Sequence, residues 1–297
     1  MSNRQEARLA LGLTAPTLLV IALIALFPLL WTVWESFHLH DLRMPWLGRP
    51  FVGLDNYAEL LRTSRFWEAL AHTAVFAIGS VIPELVIGTI FALALNQVYR
   101  GRGLVRALVL VPWAIPTVVA ALLWRFMFDG QAGIANVILV DAGLLRTPLV
   151  WFTHATAAWI PLILADVWKT TPFVALLLLA GLQNIDAALY EAARMDGAGA
   201  WHRFRHITLP LLQPAMLVAL IFRTLDAFRV FDLVYVMTGG GPGTTTEPIA
   251  LYTFSSLLQN LRFGYGSALS VIIFLITFGL AMAYIRWLGA GLTRATE

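Results

Sequence analysis

Six apolar runs dominate the chain, near residues 11–34, 71–96, 107–127, 157–181, 214–237 and 264–288. Each can cross a bilayer as a helix, which takes about 20 predominantly apolar residues. The pattern predicts an all-α polytopic membrane protein with six transmembrane helices, a single transmembrane domain over residues 1–297. Pro112 and Pro116 fall inside the third run and predict a kink there. The opening residues resemble the basic and apolar regions of a signal peptide, but the uncharged stretch from Leu9 to Trp34 exceeds a signal core of about 7–15 residues. No small-residue cleavage site follows it, so it reads as a retained first span. An even number of spans places both termini on one side.

Arginine placement orients the spans. With the N-terminus cytoplasmic, the inside segments hold Arg4, Arg8, Arg100, Arg102, Arg106, Arg194, Arg203, Arg205, Arg286 and Arg294 against Glu6, Asp186, Glu191, Asp196 and Glu297. The outside segments are longer and nearly balanced, so both termini are expected in the cytoplasm. Outside lie a loop containing a short amphipathic helix, "HDLRMPWLGRPFVGLDNYAELLRTSRFW", a second loop, "FDGQAGIANVILVDAGLLRTP", and a third, "TGGGPGTTTEP", expected to be flexible.

Composition agrees with the pattern. Apolar residues make up 59% of the 297 and charged residues 12%, about half the share usual in soluble domains; mean hydropathy is +0.77. The absence of Cys removes disulfides, iron–sulfur clusters and thiolate metal sites. Net charge is +3, with Lys169 the only lysine. The arginines sit in short patches between apolar runs and not on one polar face, which argues against a nucleic-acid partner.

One cytoplasmic loop, residues 186–214, is too long and too structured for a connector. "DAALYEAARM" favours helix, Asp196-Gly197 supplies a turn, and "AGAWHRFRHI" forms a second short helix with Trp201, Phe204 and Arg205 on one face. Small residues from Ala192 to Ala200 let another protein approach the backbone, and Pro210 and Pro214 are expected to end the unit and start the next span. The unit reads as a knob for a soluble partner. Glu191-Ala192-Ala193, Asp196-Gly197-Ala198, Phe204, Ile207, Leu209-Pro210 and Pro214 resemble the cytoplasmic "EAA" loop of binding-protein-dependent ABC importer permeases. "FVGLDNYAELL", "FWEALAHTAVF", "RGRGLVRALVLVPWAIPTVVA", "VWKTTPFVALLLLAGLQ" and "FRTLDAFRVFDLVYVMTGGGP" extend the resemblance to the maltose/trehalose/glycerol-phosphate group, nearest a trehalose-type system.

The resemblance implies a type I importer permease fold with a cytoplasmic coupling helix in a bacterial inner membrane. It implies a second homologous permease subunit, for which this chain is the longer-loop partner, a dimer of ATP-binding subunits and an extracytoplasmic sugar-binding protein. It also implies that Glu191, Ala192, Ala193, Asp196, Gly197, Ala198, Trp201, Phe204, Arg205 and Pro210 meet the ATPase. ATP and Mg would belong to those partners, with no cofactor in this chain.

Glu84, Asp166, Lys169, Arg223, Asp226, Arg229 and Asp232 lie inside the apolar runs. A charge at the bilayer centre costs at least about 2.5–3.5 kcal/mol and usually faces the bundle interior. Asp166, Lys169, Thr170 and Phe173 share one helical face, and Arg223 and Asp226 lie at matching depth. Such a set suits a polyol: carboxylates accept from hydroxyls, cations donate, and Phe173 stacks on a sugar face. By motif register the resemblance puts sugar contacts on Asp166, Lys169, Thr170, Phe173, Arg223 and Asp226, although the maltose-type relatives carry mostly neutral amides or small residues there. The same charges could instead pair as Asp166–Lys169 and Arg223–Asp226 within helices, or lock the fourth and fifth spans together. Glu84, after Pro83, faces either the path or a neighbouring span, and Arg229 and Asp232 read as interfacial.

"GGGPGTTTEP" lacks the lysine of a phosphate loop, His38–Asp41 has no further ligand cluster, and His202 with His206 belongs to no H-E-x-x-H helix. The chain reads as a transport subunit for a sugar such as trehalose or maltose, not an enzyme. The alternative is an ATP-independent carrier or channel that uses the central charges as an ion or proton relay.

Overall fold

The structure, a computed structural model, describes residues 3–97 and 101–293. Of the charges used for orientation, Arg100, Arg294 and Glu297 lie outside these, as do the side chains of Arg4, Glu6, Arg8 and Arg102. The described residues are helical, with isolated bridges only at His38–Phe51 and Asp41–Arg262. Five helices are long and apolar enough to cross a membrane: Gly12–Glu35, Ser64–Leu95, Trp159–Gln183, Ala200–Phe228 and Phe263–Arg286. The sixth, third in chain order, is broken. Gly103–Ala114 and Thr117–Met127 meet at 86°, because Pro116 pushes Ile115 out of the helical region to φ −71°, ψ 130°. Pro112 stays within the first half.

The fifth span departs most from expectation. It begins at Ala200 and ends at Phe228, and the apolar stretch beyond forms a separate helix, Asp232–Met237. Phe231, at φ −137° and ψ −64°, breaks the rod. Arg229 occupies the C-cap of the long helix and Asp232 the first turn of the next, where cation and anion each complement the helix dipole. Pro210 and Pro214 lie inside the rod instead of ending the coupling unit. A π-type turn over Phe204–Thr208, closed by Leu209 N–H to Phe204 O, widens the helix just before Pro210. A widened turn accommodates a ring that lacks an N–H and crowds the preceding carbonyl. Pro28 follows a π turn at Ala22–Leu26 in the same way.

The chain forms two compact units. One contains Met1–Phe66 with Thr253–Ile276. Here the amphipathic helix Asp55–Arg62 forms as expected, and buried Asn56 donates to Ser36 O at 2.9 Å and His38 O at 3.0 Å. Glu35 pairs with His40, and Asp41 receives Arg43. The Arg43 hydrogen bond holds the Asp41 carboxyl below its usual range.

The other unit contains Trp67–Tyr252 with Thr277–Glu297. Glycines let its spans touch. A Cβ on Gly79 would come within 2.8 Å of Ile163 and one on Gly88 within 2.7 Å of Val174, so the second and fourth spans run side by side and parallel. A Cβ on Gly181 would meet Ala215 at 2.6 Å, and with Asp166 on Arg223 this places the fifth span antiparallel to the fourth. Leu178, Leu182, Leu212 and Ala92 fill the core among these three helices. The glycine-rich third loop is folded where the sequence suggests flexibility. Thr246 is fully buried, its Oγ1 donates to Gly241 O at 2.7 Å, and Ile249 N–H donates to Thr73 Oγ1 at 2.8 Å.

Crowding at these contacts makes the glycines costly to replace. Gly88→Ala should lower stability by about 1–3 kcal/mol by overpacking against Val174. Gly103→Ala, whose Cβ meets nothing within 4 Å, should not. Thermal unfolding of the two purified variants checks the difference.

Candidate substrate path and coupling surface

Glu84, Asp166, Arg223 and Asp226 stand on three spans that the glycine contacts bring together, and Arg223 is their centre. Its Nε donates to Glu84 Oε2 at 2.5 Å and its Nη2 to Glu84 Oε1 at 2.9 Å, the two-pronged geometry that suits a guanidinium. Nη2 also donates to Asp166 Oδ2 at 2.9 Å, and Nη1 to Asp226 Oδ2. Thr170 Oγ1 lies 2.7 Å from Glu84 Oε1 and 2.7 Å from Asp166 O. Glu84 is fully buried and Arg223 retains 2% exposure, whereas the Asp226 side chain is 71% exposed.

Two cavities adjoin this cluster. One, of about 140 Å³, is polar and bordered by Asp166, Lys169, Thr170, Asp226, Arg229 and Asp232, with Thr117 from the broken third span. The other, of about 220 Å³, is bordered by Trp113, Phe173, Phe222, Thr170, Arg223 and Asp226. Trp113 stacks on Phe173 with centroids 5.9 Å apart, and Phe173 meets Phe222 edge-on at 6.4 Å. A polar chamber beside an aromatic wall can hydrogen-bond a hydroxylated ring and cover its apolar face.

All six residues expected along the path border one or both cavities. Both kinds of pairing that the sequence allows occur, one within a helix and one between the fourth and fifth spans. Arg223 does pair with Asp226, but Asp166 pairs with Arg223 across the helices and not with Lys169. Lys169 is half-buried and makes no ion pair among the described residues. The buried part of the set is therefore a lock between spans, while Lys169 and Asp226 face open space. Glu84, expected to face either the path or a neighbouring span, is the chief partner of Arg223. Its signal was a lone acid inside an otherwise apolar run. Trp113 and Phe222 carry no comparable signal, since aromatic residues in a membrane span look like any other apolar position. Arg229 and Asp232, expected at the interface, also border the polar cavity. Among the described residues no group of three or more His, Asp or Glu could hold a metal ion.

The coupling loop folds as a compact element. Asp186 caps the helix Ala187–Met195 by accepting from Ala188 N–H at 2.9 Å. The helix ends in a left-handed turn at Gly197, φ +77°, with Ala198 N–H donating to Ala193 O and Gly197 N–H to Arg194 O. Glu191, Ala192, Asp196, Arg205 and Pro210 are exposed, and Ala193, Ala198 and Phe204 are half-buried. Trp201 is 70% exposed, with its ring 5.5 Å from that of Phe204. Ala193, Asp196, Gly197, Ala198, His202 and Ile207 border an open groove of about 400 Å³. His202 and His206 stack at 4.1 Å on its side.

Apolar spans, polar cavities between them and an exposed apolar knob on a loop fit a multi-pass membrane permease. The family model for the binding-protein-dependent transport system inner membrane component matches residues 84–292. The chain belongs to that family, the membrane-spanning permeases of ABC importers. It is 44% identical over 283 residues to the trehalose/maltose transport system permease protein MalF of Thermococcus litoralis, covering 95% of this chain and 94% of that one. It is 38% identical over 290 residues to the trehalose transport system permease protein SugA of Mycobacterium tuberculosis, covering 97% and 91%. Among solved structures, a chain of the bacterial alginate ABC transporter in complex with alginate pentasaccharide-bound periplasmic protein has the same fold, with TM-score 0.80 and 22% identity over 95% of this chain and 94% of that one.

Removing the centre of the buried cluster should cost far more than removing its exposed member. Arg223→Met strands Glu84 and Asp166 and should destabilise by about 3–5 kcal/mol. Asp226→Asn should cost under about 1 kcal/mol. Thermal unfolding of the purified variants distinguishes the two.

Proposed function

We propose that this chain conducts a neutral disaccharide, such as trehalose or maltose, through the membrane as one permease subunit of a larger importer. The observation that carries the reading is the polar chamber and aromatic wall meeting at Thr170 and Asp226. The names of the trehalose and maltose relatives support the same substrate class. In this reading Asp166, Lys169, Thr170, Phe173, Arg223 and Asp226 border the path. Lys169 donates to sugar hydroxyls, Asp226 accepts from them, and Phe173 covers an apolar ring face.

The chain holds no nucleotide-binding motif, so energy enters from outside. An extracytoplasmic binding protein delivers the sugar, a second permease completes the path, and a pair of ATP-binding subunits grips residues 186–214 from the cytoplasm, where both termini also lie. ATP and Mg reside in those subunits. Closure of the ATPase pair pulls on the coupling knob and opens the path outward, and hydrolysis returns it inward. Membership of the importer family counts against an ATP-independent carrier, which would move sugar or protons through the lone chain.

Two variants test the reading in the reconstituted complex, with labelled trehalose as the probe. Lys169→Ala removes a cation with no ion pair among the described residues, so assembly should persist while uptake falls about tenfold, the share expected of one charge-assisted hydrogen bond. Unchanged uptake would remove Lys169 from the path. Gly197→Val forces a branched side chain into a left-handed turn at a cost of about 1–2 kcal/mol. It should reshape the knob and break the link between ATP hydrolysis and uptake; tightly coupled, sugar-stimulated hydrolysis in that variant would sink the docking assignment.

A further inference from the structure

We infer that Glu84 is the positioning residue of the path: it fixes Arg223 and Thr170 from behind, leaving Asp226, the most exposed carboxylate on that guanidinium, placed to exchange its arginine for a substrate hydroxyl. The inference rests on the sugar-path reading above.

Arg223 has five N–H donors. Glu84 takes Nε and one hydrogen of Nη2, Asp166 takes the other Nη2 hydrogen, and Asp226 takes one of the two on Nη1. The guanidinium plane is thus set by the two buried acids, with its Nη1 edge turned to the exposed one. Asp226 can leave without stranding the cation, since two carboxylates remain on it. Glu84 cannot, because both its oxygens serve Arg223 and it has no exposure to water. Breaking a buried pair by removing one partner is the costly case; Asp166 borders the polar cavity but its side chain keeps only 12% exposure against 71% for Asp226, so the outer contact is the least costly to break.

Thr170 is held in the same way. Its single hydroxyl hydrogen has Glu84 Oε1 and Asp166 O as acceptors. The oxygen therefore offers lone pairs, and not a hydrogen, to the cavities that Thr170 borders. Asp226 borders the same two cavities, so its movement off Arg223 would free an N–H toward the aromatic side and a carboxylate toward the polar side. Glu84 touches neither cavity. It acts through Arg223 and Thr170.

The test uses the full importer complex in proteoliposomes, with trehalose-loaded binding protein, and Glu84→Gln as the variant. Gln keeps the shape but loses the charge that seats the guanidinium. Per purified complex, maximal uptake should fall about tenfold while half-saturation by the loaded binding protein stays within twofold, because docking is untouched. A merely architectural Glu84 would reduce the amount of assembled complex and leave the rate per complex alone. Wild-type uptake by assembled Glu84→Gln overturns the inference. If the Gln variant does not assemble, Glu84→Asp keeps the charge but withdraws it by one methylene; it should assemble with uptake reduced about threefold. Wild-type uptake in that variant, or failure of both to assemble, also overturns it. If the wild-type complex moves no trehalose, the sugar reading fails by itself. The position of the Arg223 guanidinium in a structure of the Glu84→Gln complex then decides the matter: displaced toward Asp226 in support, unmoved against.

Discussion

A guanidinium buried inside a membrane protein needs protein partners for most of its donors, because lipid offers none. Burial of Arg223 at 2% exposure therefore dictates much of what surrounds it. Its partners come from the second and fourth spans and from its own helix, so the pair that satisfies the charge also ties helices far apart in sequence. Lipid tails offer no hydrophobic preference for one helix–helix contact over another, so close packing and polar contacts must choose the partners. Gly79, Gly88 and Gly181 provide the first, and Arg223 the second. Each needs the other: without the glycines Glu84 would not reach Arg223, and without Arg223 the approach would bury an acid with nothing to face.

The helix breaks serve the same place. Irregular backbone within membrane depth is tolerated only where it is buried in protein or borders a cavity. The break before Thr117 and the break over Arg229, Val230 and Phe231 both open onto the polar cavity. The charged residues at the second break also complement the ends of the helices they terminate, so the features that stop the helices help to make the chamber polar.

Long apolar runs revealed the spans because transfer into hydrocarbon depends on summed hydropathy, which is local in sequence. The same reason explains the errors. "DLVYVM" is apolar enough to continue a span, and nothing like Gly or Pro marks the turn at Phe231, so hydropathy alone ran through it. Pro210 and Pro214 look like stops, but a π turn just before Pro210 accommodates the first, and Pro214 sits within the helix without breaking it. At the site, the residue types were legible and the pairing was not. Sequence offers Lys169 as the neighbour of Asp166, whereas the fold offers Arg223, 57 positions away. Glu84 announced itself as a charge without a visible partner, which is the form a tertiary contact takes when read along one dimension.

The unbroken fifth helix joins the two functional regions mechanically. Trp201 and Arg223 stand on one rod, about 33 Å apart at 1.5 Å per residue. Had the prolines ended the coupling unit as expected, a flexible joint would separate the knob from the path, and a pull at one end would be lost in that joint. The π turn instead keeps the hydrogen-bonded rod continuous through Pro210. On the proposed reading, motion imposed at Trp201 and Phe204 turns the same helix that carries Arg223 and Asp226. The buried acids hold the inner side of the guanidinium while the outer contact to Asp226 is the least enclosed. A small rotation of that helix would carry Arg223 and Asp226 together and load the contacts to Glu84 and Asp166 on the neighbouring spans, beside the point where the two cavities meet.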